Sequence, residues 1–143
     1  MSYMPPRLEE IVEDFGFVEG SEKLEYLLEF SESLPPIPDW LLEKRGNMQE
    51  IHECMTPVFV HGDLNKDGTM HYYFDAPAQS PTVRGFASIM MEGVNDAATP
   101  AQVLQIPDLF YQATGLPRVL SGQRMHGVSV FLHYMKRIAE QHI

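Results

Sequence analysis

The chain has 143 residues, 44% of them hydrophobic, and a formal net charge of −10. This length and composition are typical of a soluble protein with one hydrophobic core, so we expect residues 1–143 to form a single domain. The acidic balance argues against nucleic-acid binding, and no apolar run approaches the roughly 20 residues that span a bilayer.

Two helices are predicted at the start of the chain, because apolar residues recur there at helical spacing along one face. These residues are Leu8, Ile11, Val12 and Phe15 in the first helix and Leu24, Leu27 and Leu28 in the second. The segment "LPPIPD" then places three prolines within four residues. It should end the second helix near Leu34 and form a stiff, extended connector.

A β-hairpin is predicted next. The segments "TPVFVHG" (56–62) and "TMHYYF" (69–74) are rich in β-branched and aromatic residues, and "NKDG" (65–68) supplies turn residues between them. The segment "NMQEIHE" (47–53) is a candidate third strand, which places Cys54 in the link between the first two strands. Because a hairpin alone is marginal in water, at least one helix should cover the sheet.

Helical spacing returns after residue 80. The predicted core helix carries Val83, Phe86, Ala87, Met90, Met91 and Val94 on one face. Thr99, Pro100 and Gln102 have the pattern of a capping box that begins a short helix running to about Gln105.

The last part of the chain contains two further helix signals. Gly115 should end a piece that begins at Pro107, and Ser121 should cap one long final helix. The inward residues of that helix are predicted to be Met125, Val128, Leu132, Met135 and Ile138. The order of elements indicates an α+β fold, in which several helices cover a small antiparallel three-stranded sheet.

Two patterns in the sequence are partly similar to metal sites, and neither favours metal binding. The segment "DLNKDG" (63–68) copies the opening of a calcium-binding loop, but Phe74 stands where the loop needs a bidentate Glu. Asn, Asp and Gly are also ordinary hairpin-turn residues. His52, His61 and His71 lie in or beside the sheet with Cys54, but they lack the second thiol or paired-histidine motif typical of zinc sites.

Cys54 is the only cysteine, so no internal disulfide can form, and no signal peptide is visible at the N-terminus. We therefore expect a reducing, cytoplasmic location. Cys54 could pair with His52 as in a hydrolase, but no group that orients the base and no oxyanion hole is evident. A lone cysteine is often an inert filler, yet a link between strands runs over the surface and more often carries function.

Arg84 and Arg124 are both predicted near helix N-termini, where a cation opposes the helix dipole. A surface salt bridge is the ordinary explanation for each. The functional explanation is that they place positive charge near a thiolate or near a partner's carboxylate.

Four segments in order resemble one family: "EYLLEFSESLPPIPD" (25–39), "ECMTPVFV" (53–60), "TVRGFASIMMEGVNDAATPAQVL" (82–104) and "GLPRVLSGQRMHGV" (115–128). They are similar to the Leu-Pro connector, the active-cysteine loop, the Arg-Gly and Thr-Pro helices and the Ser-x-x-Arg segment of the SufE family. SufE proteins are sulfur acceptors of iron–sulfur cluster assembly. The resemblance extends over about residues 8–141 and is carried by the order of the motifs.

The resemblance implies a bacterial-type cytoplasmic sulfur carrier that activates a cysteine desulfurase and is an accessory protein rather than a stand-alone enzyme. Cys54 would take persulfide sulfur from a SufS-like cysteine desulfurase and deliver it to a SufB-like scaffold. The chain would hold no metal or cofactor, since pyridoxal phosphate belongs to the desulfurase. Thr56, Phe59, Arg84 and Arg124 are the implied persulfide-pocket or partner contacts, and no membrane or nucleic-acid partner is implied.

The chain also departs from the family pattern. Glu53 stands where the family usually has Gly, Thr56 replaces Ser, and Phe59 replaces Trp. The family's Asp-Ser-Asp-Ala segment has become residues 77–80, "PAQS", and His126 stands where Asn or Gln is common. These changes keep open the alternative of a non-catalytic protein-binding module on the same scaffold.

The acidic surroundings of Cys54 raise a chemical difficulty. A thiolate is favoured by nearby positive charge, whereas Glu50, Glu53 and the acidic background raise the thiol pKa. Either Arg84 or Arg124 folds close to Cys54, or the thiol rests protonated until a partner activates it. We favour the second arrangement.

Overall fold

The computed structural model describes residues 2–143 and has an α+β fold, which confirms the predicted class. The α-helices are α1 (Pro6–Phe17), α2 (Ser21–Glu32), α3 (Asp39–Leu42), α4 (Pro81–Val94), α5 (Pro100–Leu104), α6 (Gly122–Ser129) and α7 (Phe131–Glu140). The strands are β1 (Gln49–Glu50), β2 (Phe59–Leu64) and β3 (Met70–Asp75), which form one antiparallel sheet in the order β1-β2-β3. Short 3₁₀ helices occupy Arg45–Asn47, Phe110–Thr114 and Leu116–Arg118.

The two N-terminal helices differ in how well the sequence predicts their buried faces. All four predicted residues of α1 are buried, whereas in α2 Leu28 is 44% exposed. Lys23 takes a place on the buried face of α2 instead, because its ammonium donates to the backbone carbonyls of Phe15 and Thr114. A buried charge is tolerated only with such partners, and this contact fastens α2 to the 3₁₀ segment before Gly115.

The predicted hairpin forms, and its register pairs Phe59 with Asp75 and Leu64 with Met70. Residues 65–69 make the turn, where Gly68 adopts a φ of 91° and Asp67 accepts hydrogen bonds from Thr69.

Within residues 2–143, no group of three or more His, Cys, Asp or Glu side chains is arranged to hold a metal ion. The same residues contain no helix with the length and apolar character needed to cross a membrane.

The third strand is much shorter than predicted. Only Gln49 and Glu50 pair as β1, although the candidate strand extends over residues 47–53. The ladder stops because the chain turns after Ile51, whose N–H donates to the Val58 carbonyl while its own carbonyl accepts from the Cys54 N–H. This early exit from the sheet creates the loop that carries the cysteine.

Helix α4 lies at the centre of the hydrophobic core. Its fully or nearly fully buried apolar residues are Phe86, Ala87, Ile89, Met90, Met91 and Val94. Gly85 lets α2 approach closely, because a Cβ at this position would overlap the Leu27 carbonyl oxygen. This approach fixes where the N-terminal end of α4 meets the rest of the molecule.

The helix caps predicted in the last third of the chain are present, but the prediction of a single long last helix is wrong. Thr99 and Gln102 form a reciprocal capping box, Gly115 has a φ of 76°, and the Ser121 hydroxyl accepts from the Arg124 N–H. The helix is interrupted at Val130, which separates α6 from α7. The apolar spacing continues in register across the interruption, so periodicity alone does not reveal it.

The interruption turns Phe131 into the core. Its ring centroid lies 5.3 Å from that of Phe74 on the sheet and 5.9 Å from that of Phe86 on α4. Tyr134 and Ala139 of α7 are also buried, although the predicted helix did not place them inside, and the predicted inward residue Ile138 is only partly buried. Helix α6 is therefore free to run beside the cysteine loop while α7 packs on the sheet.

We expect Gly85→Ala to lower the free energy of unfolding by about 1–3 kcal/mol, since the new methyl group must displace the Leu27 backbone. The greater helix propensity of Ala, worth about 1 kcal/mol, offsets only part of this loss. Denaturant unfolding measures the change. In the control, Gly122→Ala, a Cβ meets no atom within 4 Å, so this variant should be as stable as the parent or more so.

Candidate functional site

The loop between β1 and β2 is anchored at both ends and exposed between them. Ile51 and Val58 are 1% and 0% exposed, and the hydrogen bond from the Ile51 N–H to the Val58 carbonyl, at 2.8 Å, closes the loop. Between these anchors, the side chains of Glu53 and Met55 are exposed, as are those of His52 and Pro57. Surface loops on rigid anchors are frequent carriers of functional residues.

Cys54 is half-buried and its thiol faces α6. The Cys54 Sγ lies 3.6 Å from the Gly127 carbonyl oxygen, the distance of a weak S–H···O hydrogen bond. Gly127 presents only backbone at this contact, and a Cβ there would lie 3.4 Å from the sulfur and 3.6 Å from the Cys54 Cα, in ordinary van der Waals contact with both. The thiol therefore rests between the loop and the helix backbone.

A pocket of about 240 Å³ opens beside the thiol. The cysteine loop, the residues around the N-terminal end of α4, and α6 form its walls. The side chains that bring chemistry to it are Cys54, Thr56, Gln79, Thr82, Gln123 and Arg124. The Thr56 Oγ1 is buried and has no hydrogen-bond partner within the described residues, so it keeps an unused hydrogen-bonding capacity beside the pocket.

The structure brings together only some of the residues singled out in the sequence. Cys54, Thr56 and Arg124 line the same pocket, and the Arg124 side chain is exposed at its edge. Phe59 lies on β2 with the Arg45 guanidinium 5.3 Å from its ring centroid. Arg84 donates to the Ala76 carbonyl at 2.9 Å and lines a different pocket, beside the Leu-Pro connector. Neither Phe59 nor Arg84 lines the pocket beside the thiol.

The hydrolase arrangement considered for Cys54 finds no support in the position of His52. The His52 ring is exposed, and its Nδ1 lies 3.8 Å from a Glu50 carboxylate oxygen. The hydrogen bonds found for residues 2–143 do not join His52 to Cys54; the thiol's partner is the Gly127 carbonyl. A nucleophile and its base would need such a contact.

The environment of Cys54 disfavours its charged form. Burial, together with the negative charge of Glu53, raises the pKa of the Cys54 thiol from 9.0 to about 11. The thiol is consequently protonated at neutral pH. Of the two arrangements expected from the sequence, this geometry fits the thiol that rests protonated.

A contact that the sequence did not predict holds the loop from the other side. The Tyr134 hydroxyl on α7 donates to the Glu53 Oε1 at 2.7 Å, and this bond lowers the pKa of the Glu53 carboxyl. Gly127 and Tyr134 were both absent from the predicted site. Helical spacing placed neither of them near residue 54, because the interruption at Val130 sets the direction of α7.

Comparison with known proteins gives a consistent result. The family model described as "SufE: Fe-S metabolism associated domain" matches residues 9–139. Uncharacterized SufE-like proteins of two Mycobacterium tuberculosis strains are 40% identical over 134 residues, which cover 94% of this chain and 92% of each relative. An uncharacterized SufE-like protein of a Synechocystis species is 30% identical over 87% of this chain and 74% of its own length.

A solved structure is also similar over nearly the whole chain. The solution structure of a hypothetical protein from Thermus thermophilus superposes with a TM-score of 0.83 and 30% sequence identity. The match covers 97% of each chain. The three-stranded sheet and the helices that carry the pocket therefore belong to an arrangement already observed by experiment.

The raised pKa predicts how Cys54 responds to pH. The rate of alkylation by iodoacetamide should increase about tenfold per pH unit up to about pH 11, because only the thiolate reacts. The protein unfolded in denaturant should instead level off near pH 9.0. A plateau of the folded protein below pH 9 would contradict the prediction.

The same shift links pH to stability. Between pH 9.0 and about 11 the folded state holds a thiol proton that the unfolded chain releases. The contribution of Cys54 to the free energy of unfolding is thus complete below pH 9.0 and is lost as the pH rises towards 11.

Proposed function

Because this chain belongs to the SufE family and so has a role in iron–sulfur metabolism, we propose that it accepts sulfur on Cys54 and carries it to the site of cluster assembly. The observation that carries this proposal is the position of Cys54. Cys54 lies on an anchored loop and borders a pocket that Thr56 and Arg124 also line. The donor is a cysteine desulfurase that bears a persulfide on its own cysteine, and the receiver is an iron–sulfur scaffold.

The transfer is a thiol–persulfide exchange. As the Cys54 proton passes to the donor's persulfide, the Cys54 thiolate attacks the terminal sulfur of that persulfide, a new S–S bond forms, and the donor's S–S bond breaks. The bonding electrons leave with the donor's cysteine sulfur, which takes up the Cys54 proton. The products are a persulfide anion on Cys54 and a free thiol on the donor, so no external oxidant or reductant is required.

The pocket suits the product of this exchange. A persulfide on Cys54 places its terminal sulfur beyond the Sγ, where the pocket offers the unpartnered Thr56 hydroxyl and the Arg124 guanidinium. A hydroxyl donor and a cation both stabilise an anionic sulfur. The described chain has no second cysteine, so no internal thiol can displace the carried sulfur by forming a disulfide.

The resting thiol is poorly reactive by itself, and this suits a protein that acts only in a complex. With the pKa of Cys54 at about 11, very little thiolate is present at neutral pH. Oxidants and electrophiles react chiefly with the thiolate, so the free protein is protected. Docking of the desulfurase changes the surroundings of the loop and supplies the reactive partner.

We expect the protein to gain the mass of one or more sulfur atoms when it is incubated with a cysteine desulfurase and cysteine. Intact mass spectrometry under non-reducing conditions measures this gain. Because Cys54 is the acceptor, Cys54→Ala should gain no mass and should also fail to increase desulfurase turnover.

The same experiment separates the alternatives. A protein that binds the desulfurase without gaining mass is a binding module on a SufE scaffold, and the carrier proposal is then rejected. A mass gain that persists in Cys54→Ala would assign the sulfur to another group and would reject Cys54 as acceptor.

The two arginines are expected to behave differently. Arg124→Gln should slow sulfur loading about two- to fivefold, the size expected for loss of one exposed charge contact. Arg84→Gln should instead lower the free energy of unfolding by about 1 kcal/mol, because the hydrogen bond to the Ala76 carbonyl is lost. Loading kinetics and denaturant unfolding of both variants check the assignment, and equal effects on loading would contradict it.

A further inference from the structure

The middle of the cysteine loop is held by few contacts. Between the buried anchors Ile51 and Val58, the loop side chains make two hydrogen bonds to the helices: Glu53 accepts from Tyr134, and Cys54 donates to the Gly127 carbonyl. The second of these is a weak thiol bond at 3.6 Å, whereas the first joins a phenol to a carboxylate at 2.7 Å. Hydrogen bonds to an ionised group are among the stronger ones in proteins.

We propose that Glu53 and Tyr134 are positioning residues that keep the cysteine loop turned inward, and that separation of this pair precedes sulfur transfer. The inference rests on the proposed function, since release of the loop matters only if Cys54 must meet a donor sulfur. The geometry supports it directly, because Glu53 is the neighbour of Cys54 and Tyr134 belongs to α7, a helix fixed in the core.

Tyr134 and Glu53 differ in how freely they can move, as a contact that opens requires. Tyr134 is 5% exposed and cannot follow the loop, whereas Glu53 is exposed and can exchange its partner for water or for a donor on the docked protein. Loss of the bond therefore removes the stronger of the two side-chain hydrogen bonds that hold the loop to the helices. The half-buried Cys54 would then be free to leave the Gly127 carbonyl.

The Glu53 carboxylate also contributes to the charge around the thiol. Its negative charge adds to burial in disfavouring the thiolate, so an outward movement of the loop that exposes Cys54 weakens the larger of the two effects. The other charged or titratable groups that face this region are His52 on the loop, Arg124 and His126 on α6, and Arg137, which lies over the Tyr134 ring. None of these replaces the hydrogen bond that Tyr134 makes.

Two substitutions distinguish the effect of the Tyr134–Glu53 hydrogen bond from the effect of the Glu53 charge. Tyr134→Phe keeps the ring in the core and the charge of Glu53 but removes the hydroxyl. Glu53→Gln removes the charge but keeps an oxygen that can accept from Tyr134. The readouts are the rate of Cys54 alkylation by iodoacetamide at fixed pH and the amide hydrogen exchange of residues 52–56.

We expect Tyr134→Phe to increase both the alkylation rate and the exchange rate about three- to tenfold, the effect of one lost hydrogen bond. Glu53→Gln should increase the alkylation rate through a lower thiol pKa and should increase amide exchange less than Tyr134→Phe does, because a weaker, neutral bond to Tyr134 remains. The two variants thus give different patterns, which a general loss of stability would not produce.

Tyr72→Phe is the matched control. The Tyr72 hydroxyl donates to the Met135 carbonyl of the same helix at 2.8 Å, but the Tyr72 ring lies in the sheet and does not contact the loop through this bond. This variant should lose stability without faster exchange of residues 52–56. If Tyr134→Phe changes neither alkylation nor exchange, or if Tyr72→Phe changes them equally, the positioning role is rejected.

Sulfur loading by a cysteine desulfurase is measured separately on the same proteins. Faster loading of Tyr134→Phe than of the parent supports the proposal that loop release precedes transfer, and slower loading rejects that order of events. Faster alkylation and exchange without any sulfur gain in parent or variant would uphold the loop contact and reject the proposed function.

Discussion

The contact between the Cys54 thiol and the Gly127 carbonyl is the constraint around which the site is arranged. It is possible because α6 runs beside the loop and ends at Val130, where the helix is interrupted. The interruption lets α6 lie along the loop while α7 turns Phe131 and Tyr134 towards the core. In a continuous helix, one axis would have to serve both the contact with the loop and the packing of Phe131 and Tyr134 in the core.

Burial and charge act on the thiol in the same direction. Half-burial removes water from the sulfur, and Glu53 adds a negative charge beside it, so the protonated form is favoured. The arginine that lines the pocket, Arg124, is exposed to solvent, where its field is weakened by screening. The site is consequently better suited to protect a sulfur atom than to attack an electrophile without help. This is consistent with a carrier whose reactivity depends on a partner.

Most of the fold follows from local patterns in the sequence. The apolar face of α1, the hairpin with its turn residues, the core helix α4 and the capping box at Thr99 can all be read from residues close together in the chain. The errors have tertiary causes. Leu28 faces solvent and Lys23 is buried, because the Lys23 ammonium donates to the backbone carbonyls of Phe15 and Thr114 in two other segments. The last helix is interrupted although its apolar spacing continues.

The site was predictable only in part for the same reason. A cysteine in a strand link and an arginine in the first turn of a capped helix can be read from spacing and from family motifs. The partners Gly127 and Tyr134 are separated from Cys54 by more than half of the chain, and their approach depends on the angle between α6 and α7. No periodicity within either segment encodes that angle.

The two buried ends of the cysteine loop set a limit on its reach. Cys54 follows Ile51 by three residues, and a fully extended chain spans at most about 3.5 Å per residue, so its Cα can move no more than about 10 Å from that anchor. A loop with so short a reach cannot carry the Cys54 side chain between two distant sites, as a long flexible linker can. In the proposed carrier function, donor and receiver each contact the same small patch of surface and therefore bind it in turn.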